Sequence, residues 1–462
     1  MYSPHQLFRF AAIREVSFSS FQSWCGGILR AMKLPKRIYM VGIGGIGMSA
    51  LAQYLAHTGH SVSGVDREDS PVVALLRGKG IEVSIGAGEL PKNAGLLIYS
   101  DAVPEGNELR TQGRERGVAQ LSYFEALGEV SRDARTIAVA GTHGKTTTTG
   151  MLAKILLDAQ KEPTAIAGSI VRDFSPPASG SNFLAGSPGL FVIEACEYRD
   201  HVLKLSPEIL VITNIELDHT DYFPDLAALQ ETFGRAIQKV PKNGFVVTNP
   251  NDPNIAPVVK KYGSQSALVD YTKEEVPELG LIGEFNRGNA RAAAAAARAA
   301  FPGIAAGVVM RALAGFKGSW RRFEYKGETP LGALVYDDYA HHPTAIEKTI
   351  EAARQKFPDK KIVVAFHPHL YSRTKRFLDD FAAALATADA ALIAPIYAAR
   401  EVPDPGVSSE ILARAAQNLG GNVSALDSFD TIRDTLLKLG KNSLIITMGA
   451  GDIYKVAEQI AD

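Results

Sequence analysis

From Ile137 to Thr149 the chain reads I-A-V-A-G-T-H-G-K-T-T-T-T, and no other segment restricts its fold as much. Small and β-favouring apolar residues run into a glycine turn, and helical spacing follows from Gly150 to Leu157, which predicts strand, loop and helix in that order. Backbone N–H groups in such a turn converge on anionic oxygens, and the helix N-terminus adds partial positive charge. Gly141, Thr142, His143, Gly144, Lys145, Thr146 and Thr147 are therefore candidates to hold the phosphates of ATP. Lys145 is expected to reach the β and γ phosphates and the Thr146 hydroxyl to ligate Mg2+. The full pattern G-x-x-x-x-G-K-[ST] needs glycine at position 139, where Val139 stands, so the loop is a shortened variant.

Strand patterns at Ile38–Val41, Leu190–Glu194, Ile209–Asn214, Phe245–Thr248, Leu334–Asp337, Ile362–Phe366, Ala391–Pro395 and Leu444–Thr447 alternate with helical ones. That alternation predicts parallel α/β sheets and argues against an all-β or bundle fold. A chain of 462 residues carries a prior of about three domains. Composition shifts near Ser131–Asp133 and Gly315–Trp320 divide it into units at 37–132, 133–320 and 321–462. Residues 1–36 lack a clear period and are expected to be a disordered leader, or to precede a true start at Met32. A formal net charge of -1 gives no electrostatic reason to expect nucleic acid or an anionic membrane as partner. The alanine-rich stretch Ala290–Phe316 is broken by Arg291, Arg298 and Arg311 and does not read as a membrane span. Cys25 and Cys196 show no metal or redox spacing.

The first unit opens with a strand and G-I-G-G-I-G, and Asp66 ends the next apolar run, where a ribose-binding acid would stand. A nicotinamide dehydrogenase is the competing class, but it has no use for a second phosphate turn at Gly144-Lys145. In the middle unit Glu194 and His219 follow strand ends and are candidates for a second Mg2+, although Mg2+ prefers oxygen ligands. Asn286 and Asn289 share one face of a helix start, as helix caps or as amide contacts to adenine.

Several ordered motifs together resemble the ATP-dependent Mur ligases of peptidoglycan synthesis, from about Arg37 to the C-terminus: G-T-H-G-K-T-T, E-A-C-E-Y-R, N-I-E-L-D-H, N-R-G-N-A, R-R-F and D-D-Y-A-H-H-P-T. The last, with Gly42–Ser49 and P-H-L-Y-S-R-T from Pro368, is most similar to the members that add L-alanine to UDP-N-acetylmuramate. Members that attach recycled murein tripeptide come second, and a non-catalytic nucleotide-sugar sensor is the alternative from another class. The resemblance implies an α/β fold of three domains: a Rossmann-like N-terminal domain, a P-loop central ATPase domain and a Rossmann-like C-terminal domain. It further implies a cytoplasmic, ADP-forming ligase, monomer or homodimer, with ATP and Mg2+ as cofactors. Gly42, Gly44, Gly45, Ile46, Gly47, Ser49, Asp66 and Ser100 would hold the UDP-sugar. Thr146, Glu194 and His219 would hold metal, Asn286 and Asn289 adenine, and Arg322 and Asp338 phosphates or ribose. His341, His342 and Arg373 would meet the amino acid, Arg373 as partner of its carboxylate, and His219, His341 or His342 would act as general base. Two features depart from relatives. No lysine lies between Lys204 and Lys239, where some carry a carbamylated one, and Leu370 and His367 replace residues frequent in the alanine-adding members.

Overall fold

Three sheets carry the chain, and the order of strands in each explains where the chemistry collects. The structure is a computed structural model that describes residues 34–174, 180–263, 265–399 and 401–461. The expected leader lies outside these residues except for 34–36, as does Cys25. Strands β1 (Arg37–Val41), β2 (Ser61–Asp66), β3 (Glu82–Ile85), β4 (Leu96–Tyr99) and β5 (Ala119–Ser122) form a parallel sheet in the order β3-β2-β1-β4-β5. The order reverses between β1 and β4, which opens a crevice beside the glycine turn that follows β1.

The middle sheet is built from β6 (Arg135–Ala140), β7 (Pro163–Val171), β8 (Ser181–Leu184), β9 (Ser187–Glu194), β10 (Ile209–Ile212), β11 (Phe245–Thr248) and β12 (Ala267–Asp270), ordered β12-β11-β10-β6-β9-β7-β8. All pairs are parallel except β7 with β8. Because β6 lies between β10 and β9, the segments leaving the carboxyl ends of all three emerge side by side: the phosphate loop, Glu194, and the stretch from Thr213 to His219. The third sheet holds β13 (Glu324–Glu328), β14 (Leu334–Asp338), β15 (Lys361–Phe366), β16 (Ala390–Ile393), β17 (Val423–Ala425) and β18 (Ser443–Met448), ordered β13-β14-β18-β15-β16-β17 with only β13 antiparallel.

Alternate residues of β6 serve opposite cores, as a strand's period of two requires. Ile137 and Val139 pack with the helices Lys145–Asp158 and Glu284–Ala300, while Ala138 and Ala140 face a cluster shared with the first sheet. In the helix Glu284–Ala300 a run of buried alanines combines high helix propensity with little side-chain bulk, so it lies close against the phosphate-loop helix. The apolar cluster that holds Ile38, Met40 and Leu51 of the first unit continues into Phe191, Ile193 and Ile212 of the middle one. The third sheet instead has its own clusters on its two faces. Among the described residues no helix is long and apolar enough to cross a membrane.

Candidate active site

The phosphate loop takes the conformation its glycines permit. Gly141 has φ +126° and Gly144 φ +83°, and a Cβ on either would stand 2.1 Å from a neighbour, Thr213 Oγ1 for Gly141 and Asn289 Oδ1 for Gly144. The loop is tied to the segment after β10: His143 N–H donates to Asn214 Oδ1 (2.9 Å), the Thr213 hydroxyl and Asn214 amide donate to His143 O, and the Thr142 hydroxyl donates to Glu216 O. Lys145 opens the helix and folds back over the loop, donating to Gly141 O (2.6 Å), Thr142 O (3.1 Å) and Glu197 Oε1 (3.0 Å). Burial works to lower the Lys145 pKa, but the Glu197 and Glu194 carboxylates outweigh it and the ammonium is held above its ordinary value.

Glu197 was not singled out in the sequence, yet it is the acid at the centre. It is 1% exposed. Its Oε1 takes the Lys145 ammonium and stands 3.5 Å from His219 Nε2, and those partners overcome the burial penalty and hold its carboxyl below the usual range. Its Oε2 is buried with no hydrogen-bond partner. The readable signal was the second acid of E-A-C-E, three residues past the strand end. Glu194 stays nearby through its charge on Lys145, but its Oε2 accepts the Gly168 N–H (2.6 Å) across the sheet. An unpartnered buried oxygen on a carboxylate that also meets Lys145 and His219 fits a hard divalent cation, which takes oxygen donors first. Cys196 is no nucleophile, because burial pushes its thiol up to about 12.

The third unit closes over this edge through polar contacts. Arg373, 3% exposed, places Nε (3.0 Å) and Nη2 (2.7 Å) on Asp218 Oδ1, and its Nη1 lies 3.3 Å from His369 Nδ1. The guanidinium expected to meet an amino-acid carboxylate is thus engaged by a protein carboxylate in this conformation. His341 Nδ1–H donates to Tyr339 O (2.9 Å), leaving Nε2 turned toward Asp218 Oδ2 at 3.9 Å. Burial and the Arg373 charge hold that imidazole well below its ordinary pKa. His342 donates from Nε2 to Leu217 O (3.1 Å), and Thr344 donates to Glu216 Oε1 (2.6 Å).

Beside the junction of the middle and third units lies a cavity of about 220 Å³ lined by Arg172, Asn286, Lys317, Arg322, Tyr325 and Lys356 among others. Asn286 faces it, whereas Asn289 does not. The Asn289 amide donates to Asn286 Oδ1 (3.1 Å) and its Oδ1 buttresses Gly144, so the side chain supports the phosphate loop. Arg322 lies over the Tyr339 ring at 5.1 Å. Burial raises the Asp338 carboxyl to about 6 against the opposing charge of Arg322, and its oxygens accept the Phe323 and Ala340 N–H groups, both at 2.7 Å. The neighbouring Arg321, at φ +58°, is buried on Asp337 (2.7 Å) and on the carbonyls of Gly449 and Gly451, so the glycine turn after β18 is a structural socket.

In the first unit Gly42 has φ +78°, and a Cβ there would lie 3.1 Å from Ser100 Cβ, so the Ser100 loop does pack on the turn. Gly44 N–H donates to Asp66 Oδ2 (2.7 Å), which places the acid against the turn itself. Gly45 caps the helix that begins at Ile46, and Gly47 admits the Tyr123 ring, to which a Cβ would come within 2.6 Å. Ser49 is fully buried and bonded to Ile46 O and to the Asn182 amide of the middle unit, so it anchors two units.

Sequence comparisons match the description "Mur ligase family, catalytic domain" to residues 37–135, "Mur ligase middle domain" to 139–277 and "Mur ligase, glutamate ligase domain" to 321–451. A relative from Clostridium novyi, named UDP-N-acetylmuramate–L-alanine ligase, is 36% identical, with 92% of this chain and 97% of that protein covered. The chain belongs to the Mur ligase family. A like-named protein from Lachnospira eligens is 37% identical over 92% of this chain and 98% of its own. Among solved structures, UDP-N-acetylmuramate-alanine ligase from Thermotoga maritima aligns with TM-score 0.73 and 27% identity, covering 92% and 98% of the two chains. A murein peptide ligase from Psychrobacter arcticus, at 23% identity and TM-score 0.65 over 93% and 100%, shares the fold. As a Mur ligase the chain has the family's N-terminal, middle and C-terminal domains, each with one of the three sheets.

Proposed function

We propose that this Mur ligase joins L-alanine to the carboxylate of UDP-N-acetylmuramate, converting ATP to ADP and phosphate, in the cytoplasmic synthesis of peptidoglycan precursors. The observation that carries the chemistry is the convergence of Lys145, Glu197 and His219 at adjacent strand ends, with the third unit's His341 and Arg373 facing them across Asp218. The identity of the substrates rests on relatives at 36–37% identity whose names state that reaction. Domain limits at 37–132, 133–320 and 321–462 accord with the three sheets.

A carboxylate is a poor electrophile and must be activated. The muramoyl carboxylate attacks the γ-phosphorus of ATP, the bond to the β–γ bridging oxygen breaks, and an acyl phosphate and ADP form. The neutral amine then attacks the acyl carbon, and phosphate leaves from the tetrahedral intermediate. Lys145 exchanges its loop carbonyls for phosphate oxygens and offsets charge on the transferring group. Thr146, Glu194, Glu197 and His219 would hold Mg2+, which supplies further neutralisation of phosphate charge. His341 takes the ammonium proton at Nε2, which is free of hydrogen because Nδ1–H serves Tyr339 O, and the Asp218 carboxylate 3.9 Å away offsets the charge of the imidazolium that forms. The cavity with Asn286 and Arg322 suits the nucleoside end of ATP. Contact of the third unit with the phosphate loop keeps water from the acyl phosphate.

Phosphate release from ATP, measured with UDP-N-acetylmuramate and either L-alanine, glycine, L-serine or murein tripeptide, tests the proposal. Release requiring both the UDP-sugar and L-alanine supports it. Preference for the tripeptide would move the chain to the muropeptide ligases, a reading that Leu370 and His367 keep open. No release with any acceptor would mean a nucleotide-binding module.

A further inference from the structure

We propose that His143, Glu216 and His342 form a second cation site, selective for a divalent transition-metal ion such as Zn2+ or Co2+, which pins the third unit to the phosphate loop. One ligand atom from each of the three lies within 4.8 Å of the others. His143 Nε2 stands 2.8 Å from Glu216 Oε2, and His342 Nδ1 stands 4.0 Å from the same oxygen. Tetrahedral ligands at about 2.0–2.1 Å from zinc are spaced roughly 3.3 Å apart, so the His143–Glu216 edge opens and the Glu216–His342 edge closes by about half an ångström or slightly more, and the third edge, now within 4.8 Å, closes by up to about 1.5 Å.

The surroundings are already those of a metal site. His342 is 3% exposed and gives its Nε2–H to Leu217 O, which fixes the tautomer and leaves the Nδ1 lone pair inward. That Nδ1 is buried with no hydrogen-bond partner. It lies 4.0 Å from Glu216 Oε2, which takes its hydrogen bond from His143 Nε2 (2.8 Å), so the buried Nδ1 is the one unmet acceptor of the three, and a cation entering here would displace the proton that His143 shares with Glu216. The Thr344 hydroxyl orients Glu216 from its other oxygen, and Asn214 and Thr213 hold the His143 backbone. Two imidazoles and one carboxylate select zinc or cobalt over Mg2+, in contrast to the acid pair Glu194 and Glu197 beside Lys145. Three protein ligands leave a fourth position open.

The ion would bridge two units whose contacts include the ion pairs Arg373–Asp218 and Arg172–Glu324, so its release sets how readily they part. The test is independent of ligation. The full chain, stripped with chelator and saturated with excess Mg2+ to fill the oxygen-rich site, is titrated with Co2+. The expected result is one bound Co2+ with the intense visible absorption of tetrahedral coordination, displaced by Zn2+. Glu216→Gln and His342→Asn should each weaken binding at least about tenfold, and Thr344→Val, a milder change for use if those variants misfold, by about tenfold. Glu197→Gln should leave the spectrum intact. Absence of the band, its persistence in folded Glu216→Gln and His342→Asn proteins, or its loss in Glu197→Gln would overturn the site.

Discussion

Lys145 and Glu197 are each other's solvation, with side chains 16% and 1% exposed. Removing the ammonium strands a carboxylate, so Lys145→Ala should abolish turnover and also cost about 3–5 kcal/mol of stability. The double variant Lys145→Ala/Glu197→Gln should regain most of that stability and none of the activity, as chemical denaturation and phosphate release would report. Asp338 behaves in the opposite sense. Its folded pKa of about 6 exceeds that of an unfolded aspartate, so the native chain binds the proton more tightly and this group's contribution to stability falls as pH rises from about 4 to 6. Asp338→Asn should remove that slope, gaining on the wild type by up to roughly 3 kcal/mol between the two pH values; parallel denaturation curves for the two proteins would refute the assignment. At this scale residue type and motif suffice to single out Lys145 and His219, and both meet Glu197. They do not single out Glu197, Asp218 and Glu216, since an acid in a loop declares itself only through what lies beside it.

Among the elements, the turn from β6 into the helix Lys145–Asp158 is held by its glycines and by a second helix. Gly144→Ala meets both a left-handed backbone and the Asn289 side chain, so ATP binding should be lost, measured by calorimetry. Asn289→Ala in the same chain removes the clash and leaves the backbone strain, and should restore binding only in part. The strands flanking this turn were readable as apolar runs because they are buried on both faces. Short or exposed strands were not: β3 shows mostly polar residues at its surface, β13 reads E-Y-K-G-E, and β8 is only four residues long. β7 and β12 also escaped notice, and their places depend on the neighbours that pair with them.

For the whole molecule the contrast in cores matters most. First and middle units share one apolar cluster and the Ser49–Asn182 contact, while the third unit meets the middle through Arg373–Asp218, His342–Leu217, Thr344–Glu216 and Arg172–Glu324. Polar interfaces of this kind permit domain motion, so the third unit is the one that opens. Arg373→Ala should leave Asp218 buried without its cation, expand the chain in solution scattering, and raise the KM for L-alanine far more than that for ATP. If the KM for L-alanine stays normal, Arg373 has no part in amino-acid use. Asp218 and Glu216 both have carboxyls held below the ordinary range, so their share of the closed arrangement is present above about pH 4 and is lost as pH falls through their depressed values. Scattering across that range should show opening on acidification.

Glycine turns, a lysine before threonines and runs of apolar residues are local properties, and local sterics and hydrogen bonding dictate their conformation; hence the α/β class, the phosphate loop, and the family could be read from residues alone. Which acid faces Lys145, that Ser49 joins two units, that Arg373 rests on Asp218, and that His143, Glu216 and His342 gather at one point depend on segments tens to hundreds of residues apart. Those choices were made by strand order and by the desolvation cost of every buried charge, which only packing in three dimensions can settle.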